Sequence, residues 1–450
     1  MTTTLWQWAL VLASSITLFF VSPLARTVPE FFRGARHERT PNTLFLTSSL
    51  VISWLFAKSI TNAANLGHSF GLVGGVAYAG YYLSFLVAGF VIVSMRNKGG
   101  YRSIHQFLES KFGASAVVVF TGLIMIRLYN EIWSNTIVIG SYFGAQGSTD
   151  YYVAIIVFTL LTLAYTLKGG MSSSIMTDVI QLSLFVILLT VILGFILPHY
   201  GGSLTPFVTS GRWDLNQGVD LLLVALVQCF SYPFHDPVLT DRGFIADTRT
   251  TLKAYLWAGA IGSLCIIFFS FVGIFAKLNA LTGEAPVAVA RYFGVPMLLL
   301  MNLIMVTSAS STLDSAMASF SKLISIDLSR AAVPSVRRGR WAMVVLTVLG
   351  TIPVFFDPAI LSATTISGTL VLGLAPVFLC WRVPVPRLAF HLSVVGGLLL
   401  GGFLTFFPLP DAWRLGDGKY GSLLSVNLIT TGFCFLVFAG SALFAPKPHD

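Results

Sequence analysis

The chain has 450 residues, 55% hydrophobic and only 10% charged, and its mean hydropathy is +0.82. A soluble domain carries about a quarter charged residues, so this chain cannot wet its own surface and the bilayer is expected to be its solvent. The net charge of +9 sits in the loops between apolar runs, which reads as a topology signal and not as a nucleic-acid footprint.

In lipid every backbone polar group needs an internal partner, which leaves helices or closed barrels. Apolar runs of about twenty residues recur, without the alternation of barrel strands. The fold class expected is an all-α polytopic membrane protein of about 13 transmembrane helices. The spans fall at 5–24, 44–68, 72–95, 114–143, 151–167, 175–198, 219–240, 255–277, 294–326, 339–355, 359–381, 388–408 and 422–444. The first follows an uncharged Met1-Thr2-Thr3-Thr4, lacks a basic n-region and is expected to be retained.

Alternate loops are basic. They carry Arg26, Arg33, Arg36 and Arg39; Arg96, Lys98, Arg102 and Lys111; Lys168; Arg242, Arg249 and Lys253; Arg330, Arg337, Arg338 and Arg340; and Arg382 and Arg387, with Lys447 in the tail. The intervening loops and their edges hold Arg212, Lys277, Arg291, Arg414 and Lys419. Positive charge stays cytoplasmic, so the N-terminus is expected outside and the C-terminus inside, in the plasma (inner) membrane. Cys229, Cys265, Cys380 and Cys434 lie in apolar runs without metal spacing and read as small core residues.

Ionisable groups inside spans are costly and mark function. In the second span, TSSLVISWLFAKSITNAANLGHSF, Lys58, Asn62 and Asn65 share one helix face. It reads as a binding surface or as a polar seam between helices. In the fourth, MIRLYNEIWSNT, Arg127 and Glu131 are spaced to pair along the helix, with Ser134 and Asn135 extending that face. In the seventh, Pro233 and Pro237 bracket His235 and Asp236. Proline breaks the hydrogen-bond ladder, and interrupted helices at mid-membrane expose carbonyls and helix ends to ions and solutes. In the ninth, Ser308, Ser311, Thr312, Ser315, Ser319 and Lys322 fall on one face with Asp314 beside it.

At these residues the chain resembles the sodium/solute symporter family, whose members carry proline, sugars, monocarboxylates, sialic acid and urea. The resemblance is carried by KGGMSSSIMTDVIQL (168–182), DPVLTDRGFIAD (236–247) and SSTLDSAMASFSKLISIDL (310–328), and spans roughly residues 40–400. It implies a five-plus-five inverted-repeat (LeuT-type) core. The first repeat would be 44–198 and the second 219–381, with a peripheral helix and loop at 1–43 and two peripheral helices and a tail at 388–450.

The resemblance also implies a sodium site: the hydroxyls of Ser311 and Thr312, the carbonyl of Ser308, and the carbonyls of Ser53 and Phe56 at the break in the second span. Oxygen-only ligation suits a hard cation. Asp178 matches the family's acid on the inward ion path, and Asp236 falls where the second broken helix meets the solute. Solute contacts are expected from Lys58, Asn62, Asn65, Glu131, His235 and Asp236. Where relatives often have glycine, this chain has Phe56-Ala57-Lys58-Ser59, so the Lys58 ammonium is an alternative occupant of the cation's place.

The expected function is sodium-coupled symport of a small polar solute (amino acid, carboxylate, sugar or urea-like) by alternating access, with no cofactor beyond the coupling ion and with membrane lipid as its surroundings. The alternatives are a proton-coupled or uncoupled carrier, in which Lys58 or Asp236 takes the sodium role, and a membrane sensory module. No Gly-x-x-x-x-Gly-Lys-Ser/Thr, His-Glu-x-x-His or Gly-x-Ser-x-Gly motif occurs, so an ATP-driven pump or an intramembrane enzyme is not expected.

Overall fold

The computed structural model describes residues 3–34, 40–328, 333–356, 367–407 and 409–444. Arg36, Arg39, Arg330, Lys447 and residues 359–366 of the eleventh expected span lie outside the described residues.

The helices that position the core are α1 (Thr3–Val21), α2 (Thr43–Trp54), α3 (Ala57–Phe70), α4 (Leu72–Gly99), α5 (Ile104–Phe112), α6 (Ala114–Phe143), α7 (Thr149–Gly169), α8 (Met171–Ile196), α9 (Val219–Gln228), α10 (Pro237–Arg242), α11 (Thr248–Leu278), α12 (Ala285–Phe293), α13 (Val295–Lys322), α14 (Val336–Thr351), α15 (Leu374–Leu379), α16 (Leu388–Phe406) and α17 (Gly421–Ala442). Among the described residues ten helices are long and apolar enough to cross a membrane, or eleven with the bent pair α2–α3 as one span. The expectation of thirteen is not reached by that count. The seventh span is split into short pieces, and part of the eleventh lies outside the described residues. The protein is a multi-pass helical membrane protein.

The second span breaks without proline or glycine. Helix α2 stops at Trp54, Leu55 and Phe56 leave the helical region, and α3 departs at 61°. A break frees backbone groups that lipid cannot satisfy. Here the Tyr82 hydroxyl donates to the Trp54 carbonyl at 2.6 Å, and Asn135 Oδ1 accepts the Lys58 N–H at 3.3 Å.

The seventh span breaks where its prolines predicted. Helix α9 ends at Gln228, a 3₁₀ turn runs from Tyr232 to His235, and Asp236 caps α10 by accepting from Val238 N at 2.9 Å and Leu239 N at 3.3 Å. Pro237 takes the first helical position, where its missing N–H leaves no bond unmade.

Helix α3 packs along α11, and α13 lies against α6 and α8. The α3–α11 crossing is close because Gly67 faces the Ser270 backbone and Gly273 faces the Ala64 carbonyl, with no room for a Cβ at either. Small residues at such crossings let helix backbones approach.

Candidate functional site

The polar groups expected in the core form two clusters. The first runs between the breaks and α6. Lys58 Nζ donates to Glu131 Oε1 at 2.8 Å and to Ser134 Oγ at 3.1 Å. Arg127 also pairs with Glu131, one turn along α6, as the spacing predicted. It reaches Asp236 Oδ2 at 3.3 Å, and Asn135 Nδ2 donates to Glu131 Oε2 at 2.9 Å. The result is a row of alternating sign, Lys58, Glu131, Arg127 and Asp236, with formal charges that sum to zero. All four are buried. Buried charges persist only when paired and hydrogen-bonded, and the pairing here is mutual. The Phe56 ring lies between the two cations, 5.1 Å from Lys58 Nζ and 5.4 Å from the Arg127 guanidinium carbon. Such contacts add to cation stability where water is excluded.

Lys58 and Asp236, both expected as solute contacts, are joined through Glu131 and Arg127. The helix face shared by Lys58, Asn62 and Asn65 also divides. Asn62 donates to the Tyr78 hydroxyl at 3.4 Å, while Asn65 accepts from Ala285 N at 2.9 Å and so holds the start of α12. His235 meets the Tyr232 carbonyl through Nδ1 at 2.6 Å, and its buried Nε2 has no hydrogen-bond partner among the described residues.

The second cluster joins α2, α8, α10 and α13. Asp178 accepts from Ser49 Oγ at 2.5 Å and from Ser311 Oγ at 2.6 Å. Arg242 bonds Ser49 Oγ at 2.5 Å, the Val238 carbonyl at 2.9 Å and Ser315 Oγ at 2.9 Å, and lies 3.4 Å from Asp178 Oδ2. Asp314 accepts from the Tyr165 hydroxyl at 2.8 Å and Thr177 Oγ1 at 3.2 Å. Asp178, Arg242 and Asp314 are all fully buried.

The reading of Arg242 as a loop charge is therefore corrected. It is a core side chain on the second arm of the broken seventh span. The charge tally hid it, because arginine near a span's end usually reports a loop. The available signal was its place in the helical turn after Pro237, six residues beyond the buried Asp236.

The expected sodium ligands lie at the end of α2, at the break after it and on α13, and α2 and α13 are in contact. Ser53 Oγ is 3.0 Å from Ser315 Oγ, which ties that end to α13. Ser308, Ser311 and Thr312 are buried on α13. Thr312 Oγ1 bonds the Ser308 carbonyl at 3.0 Å, and the Ser308 hydroxyl is buried without a hydrogen-bond partner among the described residues. The Phe56 carbonyl accepts from Ile60 N at 3.0 Å, so it keeps one lone pair for a further donor or ion. Lys58 points its ammonium at α6, away from these hydroxyls, which disfavours it as the occupant of their cation place. Hydroxyl, carboxylate and carbonyl oxygens are the donor set for sodium.

A cavity of about 540 Å³ lies beside this second cluster, lined by Thr240, Asp241, Ser319, Lys322 and Asp327 with Arg96 and His105 among others. Lys322 bonds Asp241 at 2.6 Å and Asp327 at 2.9 Å at its wall.

A helical membrane bundle with two interrupted helices meeting at a buried polar core defines, as a class, the LeuT-type transporter fold. A Na+-coupled sialic acid symporter, solved in a substrate-bound outward-open state, superposes with TM-score 0.73 at 15% identity, covering 98% of both chains. Mhp1, a nucleobase-cation-symport-1 family transporter in a closed conformation, gives TM-score 0.62 at 13% identity, covering 93% of this chain and 97% of that one.

Within that class, residues 39–236 match the model of the sodium:solute symporter family. Sodium/glucose cotransporter 1 of Oryctolagus cuniculus is 26% identical over 206 residues, 42% of this chain and 30% of that one. Solute carrier family 5 member 4B of Mus musculus is 25% identical over 249 residues, 51% of this chain and 37% of that one. The matches thus span about a third of these relatives' length.

Proposed function

We propose that the protein is a sodium-coupled symporter that moves a small polar organic solute by alternating access. One observation carries the reading: the Ser311 hydroxyl of α13 and the Ser49 hydroxyl of α2 both donate to Asp178, so buried oxygens join α13 to an interrupted helix, with Thr312 next to Ser311. Sodium would bind between α2 and α13, using Ser311, Thr312 and the carbonyls of Ser308, Ser53 and Phe56, and Asp178 would receive it on the inward path. Because α2 and α13 belong to different halves of the bundle (44–198 and 219–381), an ion held by both would link their relative positions.

One charge crossing 100 mV supplies about 2.3 kcal/mol, which corresponds to about fiftyfold accumulation of solute. The solute would meet the row Lys58, Glu131, Arg127 and Asp236, with Asn62 and His235 nearby. A carboxylate, a zwitterion or a sugar suits these groups, and the sugar reading is favoured by the relatives named as glucose cotransporters. We place residues 1–43 and 388–450 at the periphery of this core, and the protein in the plasma (inner) membrane with its N-terminus outside.

The deciding experiment is uptake of labelled amino acids, carboxylates, sugars and urea into proteoliposomes, with and without a sodium gradient. Sodium-dependent accumulation of one class supports the reading. Uptake that follows pH and ignores sodium would transfer the coupling role to Lys58 and Asp236.

A further inference from the structure

A second polar cavity, of about 450 Å³, contains no residue of the two core clusters and shares only Tyr101, among the described residues, with the cavity of about 540 Å³. It is lined by Lys98, Tyr101, Lys111, Trp381, Arg382, Val383 and Pro384. Three cations line it, and none of its described lining residues is acidic. Its parts come from the end of α4, from the short helix α5, and from the segment after α15. These are the ends of apolar helices, so the cavity stands where hydrocarbon gives way to headgroups.

Two of the cations are held in place. Lys111 Nζ donates to the Trp381 carbonyl at 2.6 Å and the Val383 carbonyl at 2.8 Å. Arg382 donates to Ser94 Oγ at 2.8 Å, and its guanidinium carbon sits 5.0 Å from the centre of the Trp381 ring. Lys98 is exposed. Tyr101 meets Trp381 edge-on at 6.2 Å. Tryptophan and tyrosine favour the membrane–water boundary, where an apolar ring and a polar tip are both served. Burial pushes the Lys111 ammonium down to about 8, with the Cys380 thiol as the titratable group facing it. Two carbonyl dipoles and the Phe107 and Phe112 ring faces therefore support a charge that an anion would stabilise further.

We infer that this cavity binds the phosphate of an anionic phospholipid headgroup, with Lys98, Lys111 and Arg382 around the phosphate and Trp381 and Tyr101 against the glycerol and upper acyl chain. Basic pockets between helix ends are the usual form of such sites. A lipid is the source chosen over a soluble phosphate because the cavity opens at helix ends and pairs cations with boundary aromatics. The site is separate from the transport core, so it stands or falls independently of the coupling ion.

The test uses the full chain purified in detergent. Phosphatidylglycerol, phosphatidylcholine or inorganic phosphate is added and thermal unfolding is followed. The chain is also recovered from nanodiscs of mixed phosphatidylglycerol and phosphatidylcholine, and its retained lipid is measured by mass spectrometry. The expected result is a rise in Tm with phosphatidylglycerol only, and enrichment of that lipid. Lys98→Gln and Arg382→Gln should each weaken the effect about fivefold, at roughly one basic contact per substitution. Lys98 is exposed and makes no hydrogen bond or ion pair among the described residues, so Lys98→Gln remains informative if the Arg382 variant folds poorly. An equal response to phosphatidylcholine, an equal response to inorganic phosphate, or an undiminished response in Lys98→Gln overturns the inference.

Discussion

The Trp54 indole N–H donates to Asp236 Oδ2 at 2.9 Å, joining the last residue of the first half-helix to the capping residue of the second break. The two interruptions are thus fastened to each other directly. The same carboxylate oxygen also receives Arg127. Trp54→Phe keeps the ring packing against Phe85 and Tyr232 but removes the donor. The expected loss is about 1.5–3 kcal/mol, the range for a hydrogen bond to a charged group, read as a lower midpoint in thermal or denaturant unfolding.

Glu131 serves two cations, whereas Lys58 has Glu131 as its one acidic partner. Glu131→Gln should therefore destabilise more than Lys58→Met, by about 3–5 kcal/mol against the parent. Combining the two should recover part of the loss, because one stranded cation is then gone. A double-mutant cycle in detergent measures it, and equal, additive losses would contradict the shared role.

Asp178→Asn removes the carboxylate paired with Arg242 in a fully buried site. A comparable loss of about 3–5 kcal/mol is expected. Arg242→Lys should be no rescue of the wild-type arrangement. One ammonium cannot reproduce the fork that reaches Ser49 on α2, Val238 on α10 and Ser315 on α13. Unfolding of the two variants side by side gives the comparison.

For the coupling ion, Ser311→Ala and Thr312→Ala should each raise the sodium needed for half-maximal stabilisation or uptake by about tenfold, the equivalent of about 1.4 kcal/mol. A sodium titration read by Tm, with choline replacing sodium at constant ionic strength, tests this without knowledge of the solute. An unchanged midpoint in both variants would remove these hydroxyls from the ion site.

The Lys111 ammonium, held near a pKa of about 8 by burial, binds its proton more weakly in the folded chain than in the unfolded one. Between about pH 8 and the ordinary lysine value the unfolded chain carries more protons, so stability should rise with pH across that window. The rise should be smaller in Lys111→Met. Unfolding midpoints at pH 7.5, 8.5 and 9.5 for both proteins give the difference (these values bracket the pKa of about 8).

Local rules made parts of this architecture readable. Pro233 and Pro237 announced the second break, and the four-residue spacing of Arg127 and Glu131 announced their pairing. The first break was placed at the right segment through family resemblance alone, since Leu55 and Phe56 carry no intrinsic helix-breaking signal. Its cause lies in the tertiary structure: Tyr82 and Asn135 take the freed backbone groups. Long-range partners were not readable. Lys58 meets Glu131 across 73 residues and Trp54 meets Asp236 across 182, and no periodicity encodes such meetings. Asn65 shows the same limit from the other side. Its helix face matched Lys58, but its partner is a loop helix.

The row of four alternating charges has one further consequence. Each member is buried and satisfies its neighbours, so pulling α3 away from α6 strands an ammonium and a carboxylate in oil. Water or an ionic guest must arrive as the helices part. Wetting of the middle of this bundle and its opening are therefore one event.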